Sequence, residues 1–334
     1  MSALEALPDL AGKGGREYQA APVDRIEREV EGVRRAGARY LFHDQPAYPP
    51  LLAELESAPP ILTVRGDAAL TDKPCVAIVG ARNASAAAVK LAREFAGALS
   101  EAGLVVVSGL ARGIDGAAHE GALGQGKAGT IGVIASGIDI AYPPQHAALQ
   151  QRIASEGLLV AEQPPGTEPR GSHFPSRNRI IAGLAAGTLV VEAAPQSGSL
   201  ITARLAGEAG REVMAIPGSP LDARASGCNQ LIRDGAVLVQ TPEDVIEVLR
   251  DFTGRPRTVL RDTAHSWEPS PEEWAEAEPA ALADLLSAAP VAVDELIRQS
   301  GESAAAVQLA LLELELAGQL NRHAGGRVSL STQT

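Results

Sequence analysis

Val76-Ala77-Ile78-Val79-Gly80-Ala81-Arg82-Asn83-Ala84-Ser85 is an unbroken apolar run, a glycine, a polar turn and the start of a helical pattern that continues to residue 101. The run does not alternate between apolar and polar residues. Both faces of the strand it forms are therefore buried, as in a parallel sheet covered by helices on each side. The same unit recurs along the chain. Residues 103–109 form the next strand and 113–125 a helix, then 130–135 a strand, 145–156 a helix and 158–162 a strand. A helix around 176–186, a strand at 188–193, a helix near 199–209 and strands at 212–216 and 236–239 complete the series. The pattern predicts an α/β domain over 73–250, a Rossmann-like, doubly wound, mainly parallel sheet.

Outward from this core, residues 1–72 form an N-terminal segment, either small and helical or an extension of the core. It holds a helical stripe at 23, 26, 30 and 33, a short strand at Tyr40-Leu41-Phe42, a helix start at Tyr48-Pro49-Pro50-Leu51-Leu52 and a strand at 61–66. Residues 251–279 scatter Pro, Thr, Glu and Trp without period and read as a linker. Residues 280–331 resemble a winged helix-turn-helix, with helices at 281–286, 293–299 and 303–317, the last capped by Ser303. A hairpin wing follows from Leu320 to Leu330 around Gly325-Gly326. A DNA-reading helix presents basic and polar groups to the groove. The stretch 303–317 contains no Lys or Arg and carries Glu313 and Glu315. A protein-contact or accessory role is the expectation for this module.

Aromatic residues are only 3% of the 334, so the core is built from aliphatic side chains, and each of the four Phe and four Tyr merits individual attention. The net charge of −12 argues against a basic nucleic-acid coat, though not against a local basic cleft. Residues 74–250 are nearly balanced, with 14 basic and 16 acidic side chains. Cys75 and Cys228 stand far apart without ligand spacing, which suggests neither a disulfide framework nor a zinc site. With no signal-like N-terminus and no apolar run of spanning length, a cytoplasmic protein without membrane insertion is expected.

The densest chemistry lies in Gly171-Ser172-His173-Phe174-Pro175-Ser176-Arg177-Asn178-Arg179-Ile180-Ile181-Ala182-Gly183. Guanidiniums supply forked donors for phosphate oxygens, and a nearby ring can stack on a base. Three turns after strands complete the picture. Gly80 and Arg82 lie at the first, where free N–H groups at a helix start favour an anion. At the second, Gly109 and Arg112 permit close approach of the backbone, and Asp115 with His119 is either a carboxylate–imidazole pair or a helix cap beside a satisfied imidazole. The third offers Ser197 and Ser199. The glycine spacing of a dinucleotide site is absent, as are a Walker sequence, a nucleophile elbow and a metal-spaced ligand set, so no cofactor or metal is expected. The chain displays groups that bind and no set that reacts.

Residues 76–241 resemble the DNA-processing protein A (DprA/Smf) family. The resemblance rests on Ile78-Val79-Gly80-Ala81-Arg82, on Ser108-Gly109-Leu110-Ala111-Arg112-Gly113-Ile114-Asp115 with Ala118-His119, and on Phe174 through Leu184. Ser197-Gly198-Ser199-Leu200-Ile201-Thr202-Ala203 and Pro217-Gly218 extend it. It implies a homodimer that binds and protects single-stranded DNA in natural transformation and helps load the RecA recombinase, without a known reaction. It places the DNA pocket on Arg82, Arg170, Phe174, Arg177, Asn178 and Arg179. The alternative is a nucleotide-binding enzyme of the phosphoribohydrolase type, whose catalytic Glu has no counterpart in 197–202, Glu192 lying on the preceding strand. Under the first reading, Phe174→Ala and Arg177→Ala each weaken single-strand binding and leave thermal stability unchanged.

Overall fold

The computed structural model describes residues 21–252, 286, 291–300, 304–323 and 327–331. The chain divides into two compact units, Met1–Arg257 and Thr258–Thr334.

In the first unit β3 (Cys75–Val79) is buried at every position. Its side chains alternate between layers. Val76 and Ile78 pack with Phe95 and Leu99 of α3 (Ala86–Glu101) and Ile114 of α4 (Ile114–Gln125). Cys75, Ala77 and Val79 join Ile180, Ile181 and Leu184 of α6 (His173–Leu184) on the other face. Two apolar faces on one strand require two helical layers, as the absence of alternation predicts. The remaining parallel strands are β4 (Val105–Ser108), β5 (Thr130–Gly137), β6 (Leu158–Gln163), β7 (Gly187–Val190), β8 (Glu212–Ala215) and β9 (Val237–Leu238). The order β6-β5-β4-β3-β7-β8-β9 reverses direction between β3 and β7. A doubly wound sheet places its ligand crevice at such a reversal, at the carboxyl ends of the strands.

The N-terminal segment extends the sheet. Strand β1 (Arg39–Phe42) pairs antiparallel with β2 (Ile61–Gly66), and β2 pairs antiparallel with β6. The pairing holds because Leu41, Leu62 and Val64 are buried in the same core as β3. Helices α1 (Val23–Arg35) and the short α2 (Pro50–Ala53) flank these strands.

The elements differ from expectation in several places. The helix expected around 176–186 begins at His173, so Phe174 and Pro175 belong to its first turn. Proline is tolerated there because its missing N–H has no intrahelical partner to lose. The strand expected at 188–193 runs from Gly187 only to Val190. Helix α5 is Ala147–Glu156, preceded by a 3-10 turn, and α7 is Gly198–Glu208. Two helices were not anticipated, α8 (Ser226–Arg233) and α9 (Pro242–Phe252), and the second reaches into the expected linker. The rest of that linker lies outside the described residues.

In the second unit, α10 (Val293–Ser300) and α11 (Ala304–Leu316) pack with a three-stranded sheet in the order β10 (Val291–Ala292), β12 (Arg327–Leu330), β11 (Leu320–His323). Leu296, Val307, Leu311, Leu314, Leu320 and Val328 form its core. Of the helix expected at 281–286, residues 281–285 lie outside the described residues, as do the Ser303 cap and Gly325-Gly326. Glu313 and Glu315 are exposed on α11. Among the described residues no helix is long and apolar enough to cross a membrane, and no group of three side chains is arranged to hold a metal.

Candidate nucleic-acid interface

The reversal between β3 and β7 is laced together by backbone. Ala81 N donates to Glu192 O at 2.6 Å, and Ile114 N donates to Ala81 O at 3.3 Å. The Glu192 carboxylate is taken by one residue, accepting from Ser85 N at 3.0 Å and from Ser85 Oγ at 2.7 Å. Ser85 in turn caps α3 by accepting from Ala88 N. The turn after β3 is therefore fixed, with the exposed Arg82 projecting from it.

The turn after β4 is held by Asp115, whose Oδ2 accepts from Gly109 N at 3.2 Å and Ala111 N at 3.4 Å. Leu110 between them adopts a positive φ of 56°, and its side chain is fully buried. Arg177 reaches from α6 across this turn, with Nη1 3.9 Å from Asp115 Oδ2 and both side chains 7% exposed. A Cβ on Gly109 would stand 1.5 Å from Arg177 Nη1, so glycine is what lets the guanidinium lie flat on the turn. Burial pushes the Asp115 carboxyl above its usual range, and the neighbouring guanidinium draws it back down. Burial likewise lowers Arg177, opposed by Asp115. Arg177 Nε is buried without a hydrogen-bond partner, so packing and charge hold this cation. His119 is not paired with Asp115. Its Nδ1 meets Thr130 Oγ1 at 2.8 Å, and burial lowers its pKa to about 3, which keeps it neutral.

One turn before Arg177 on the same helix, Phe174 stands half-buried between two partners. The Arg82 guanidinium lies 5.0 Å from its ring centroid. The Tyr142 ring lies 5.7 Å away on a tilted plane. A cation over a ring at an exposed site is worth about 0.5–1 kcal/mol, and a ring pair contributes a similar amount beyond its area. Arg82 and Phe174 form a ridge, which Tyr142 backs on one side only. On one side is a cavity of 790 Å³ bounded by Gly80, Asn178, Ser197, Ser199 and Thr202. On the other is one of 260 Å³ bounded by Gly109, Arg112, Tyr142 and Pro143. Arg82, Phe174 and Arg177 line both. Asn178 donates to Gly198 O at 3.3 Å, and Ser197 Oγ meets Ser199 Oγ at 2.8 Å, which joins α6 to the start of α7.

The structure thus brings together Gly80, Arg82, Gly109, Arg112, Phe174, Arg177, Asn178, Ser197 and Ser199. Arg170 and His173 stand beside the crevice at the start of α6 and line neither cavity; Arg170 N donates to His173 Nδ1 at 3.3 Å. Arg179 is turned away, donating to Ser57 O at 2.6 Å and pairing with Glu162. Residues 174, 177 and 178 share one helical face, and 179 falls about 100° further round. Tyr142 was missed as a wall of the site, although the scarcity of aromatics marked it for attention. Arg224 also borders the larger cavity, with its guanidinium held by Asp222.

A family model described as DNA recombination-mediator protein A matches residues 39–250, a DprA winged helix domain matches 267–326, and a DprA-like N-terminal HHH domain matches 1–32. The Smf protein of Escherichia coli is 38% identical over 316 residues, covering 94% of this chain and 83% of the relative. The DNA processing protein DprA of Streptococcus pneumoniae is 47% identical over 199 residues, covering 60% and 70%. A solved structure of the pneumococcal protein superposes with a TM-score of 0.64 at 42% identity, covering 68% of this chain and 78% of that one. A structure of DNA processing protein A from Helicobacter pylori, described as giving insight into its single-stranded DNA binding mode, has a TM-score of 0.57 at 29% identity, covering 65% and 98%.

Proposed function

We propose that this chain, which belongs to the DNA recombination-mediator protein A (DprA/Smf) family, binds single-stranded DNA along the crevice at the carboxyl ends of β3, β4 and β7. The observation that carries the reading is the ridge of Arg82 and Phe174 between two cavities, with Tyr142 against the ring on the side of the smaller one and the buried Arg177 lining both. A strand crossing the ridge stacks a base on Phe174, while Arg82 and Arg112 meet its phosphates. Base–aromatic stacking is worth about 1–3 kcal/mol per base. Phe174→Ala therefore weakens binding of a labelled single-stranded oligonucleotide by about 5- to 150-fold. Phe174 is half-buried on a helix surface and its two ring contacts are together worth about 1–2 kcal/mol, so the melting temperature of the variant falls by only a few degrees. Fluorescence anisotropy with a parallel thermal melt checks both, and unchanged binding would remove the pocket assignment.

We read the same site as one that binds a strand and does not cleave it. The acids and the imidazole behind the turns after β3, β4 and β7 are already engaged: Glu192 by Ser85, Asp115 by two backbone N–H groups and Arg177, and His119 by Thr130 in the interior. Incubation with nucleoside monophosphates releases no free base, as chromatography of the products checks. Sustained turnover would replace the binding reading with the phosphoribohydrolase one.

The wider role is protection of incoming single strands in the cytoplasm during natural transformation and their handover to RecA, by a homodimer whose two crevices engage one strand. Joining two sites raises the effective affinity without new contacts, provided the strand can span them. The exposed acids of α11 favour a contact with protein over DNA for the second unit.

A further inference from the structure

A second groove of 620 Å³ lies between α1 and the segment that leads from β6 into α6. Arg25, Arg28, Gly32 and Arg35 line it, at the i, i+3, i+7, i+10 spacing that puts all four on one stripe of the helix. The stripe spans about 15 Å of helix axis. The floor is closed where Gly32 meets Pro165, whose Cβ would lie 3.2 Å from a Cβ added at Gly32. Arg25 and Arg35 are exposed and have no partner among the described residues; Arg28 pairs with Asp24 at 3.0 Å in an exposed i, i+4 bridge. The two acids in the lining are occupied. Glu29 accepts from Tyr40 Oη at 3.1 Å, and Asp139 accepts from Gly166 N at 2.7 Å.

Two loops tie this groove to the crevice. One contributes Pro164 to Thr167 to the groove and Pro169 to the smaller cavity; the other contributes Asp139 to the groove and Tyr142 to the cavity. Gly137 N donates to Thr167 O at 2.9 Å, fastening the loops side by side. Two or three residues of chain separate the linings, on the order of 10 Å. The groove therefore opens beside the end of the crevice where Tyr142 stands. Among the described residues, the guanidiniums of Arg25 and Arg35 are uncommitted and no aromatic side chain lines the groove.

We infer that this groove carries the sugar–phosphate backbone of the same single strand once it leaves the base-stacking crevice. This rests on the proposed binding of single strands in that crevice. Guanidiniums on one stripe match a row of phosphates, and without a ring the contact is independent of base identity.

The test compares the wild-type chain with the triple variant Arg25→Ala, Arg28→Ala, Arg35→Ala, using deoxythymidine oligonucleotides of about four and about twenty nucleotides across a salt series. Both proteins bind the short strand equally. On the long strand the variant's log–log salt slope is shallower by about 2, at roughly 0.7 for each phosphate that is no longer neutralised. The corresponding triple lysine variant keeps the wild-type slope. Should the triple alanine variant fold poorly, Arg35→Glu alone tests the same direction at an exposed residue with no partner to lose. Equal slopes for wild type and variants on the long strand overturn the groove while leaving the crevice intact. A wild-type chain that binds neither strand removes the crevice reading and the groove with it.

Discussion

At the residue scale the site depends on one buried cation. The density of groups between Gly171 and Gly183 made Arg177 legible as functional, but not as interior, because its depth is set by Gly109 and Asp115, more than sixty residues away in sequence. This corrects the expectation that Arg177→Ala leaves stability unchanged. Removing one partner of a buried pair costs about 3–5 kcal/mol, since the remaining charge is left uncompensated. Arg177→Ala therefore lowers both single-strand affinity and the melting temperature. The pH dependence has a definite sign. Burial already raises Asp115, and loss of the guanidinium raises it further. A carboxyl whose folded pKa lies above its unfolded value contributes stability that is fully present below the unfolded pKa and lost as pH rises through the folded one. The deficit of the variant is thus smallest in acid and widens toward neutrality, which paired melts at several pH values check. Arg179 has the opposite history. Its chemistry was as legible as that of Arg177, but its partner Ser57 lies on a segment whose docking no local pattern announces.

At the element scale, strands and helices of the parallel core were legible because burial on both faces leaves an unmistakable apolar run. Their junctions were not. The start of α6 at His173 was obscured by Pro175, which reads as a break in sequence yet sits comfortably in a first turn. Helix α8 offers only Cys228, Leu231 and Ile232 as an apolar stripe, whereas α9 carries a clear one at Val245, Val248 and Leu249 that its position beside the expected linker obscures. The packing of α3 on α4 has a close approach that is simple to test. A Cβ on Gly121 would come within 2.1 Å of Arg93 O, a backbone atom that cannot rotate away. Overpacking of this kind costs about 1–3 kcal/mol. Gly121→Ala should lower the melting temperature by several degrees and leave affinity for short oligonucleotides nearly unchanged, because α4 presents the site from its other end. Thermal melts and anisotropy on one preparation check both halves.

At the scale of the whole molecule, charge and topology set how the protein meets a polyanion. The chain carries a net charge of −12, yet the crevice gathers Arg82, Arg112 and Arg177. Under the proposed function, binding is therefore expected along a track and with moderate salt sensitivity. With about three to five phosphates engaged, the log–log slope for a single strand is about −2 to −4, far shallower than for a lysine-coated protein. Titrations across a salt series check this, and a slope near zero would mean that the arginines do not meet phosphates. The antiparallel pair β1 and β2 was legible as two strands but not as a sheet edge, since nothing in either strand names β6 as its neighbour. Arg179 fastens that edge to α6, so the wall of the crevice is braced from behind by the N-terminal segment. The ridge at Phe174 has a last consequence, for composition. A strand straddling two chambers must part adjacent bases, and the work of parting them depends on how strongly they cling to one another. Adenine tracts, being self-stacked, pay that toll in full, while thymine tracts arrive already slack. Under the proposed binding, the ridge would therefore favour slack thymine tracts over self-stacked adenine tracts, which competition between the two homopolymers checks.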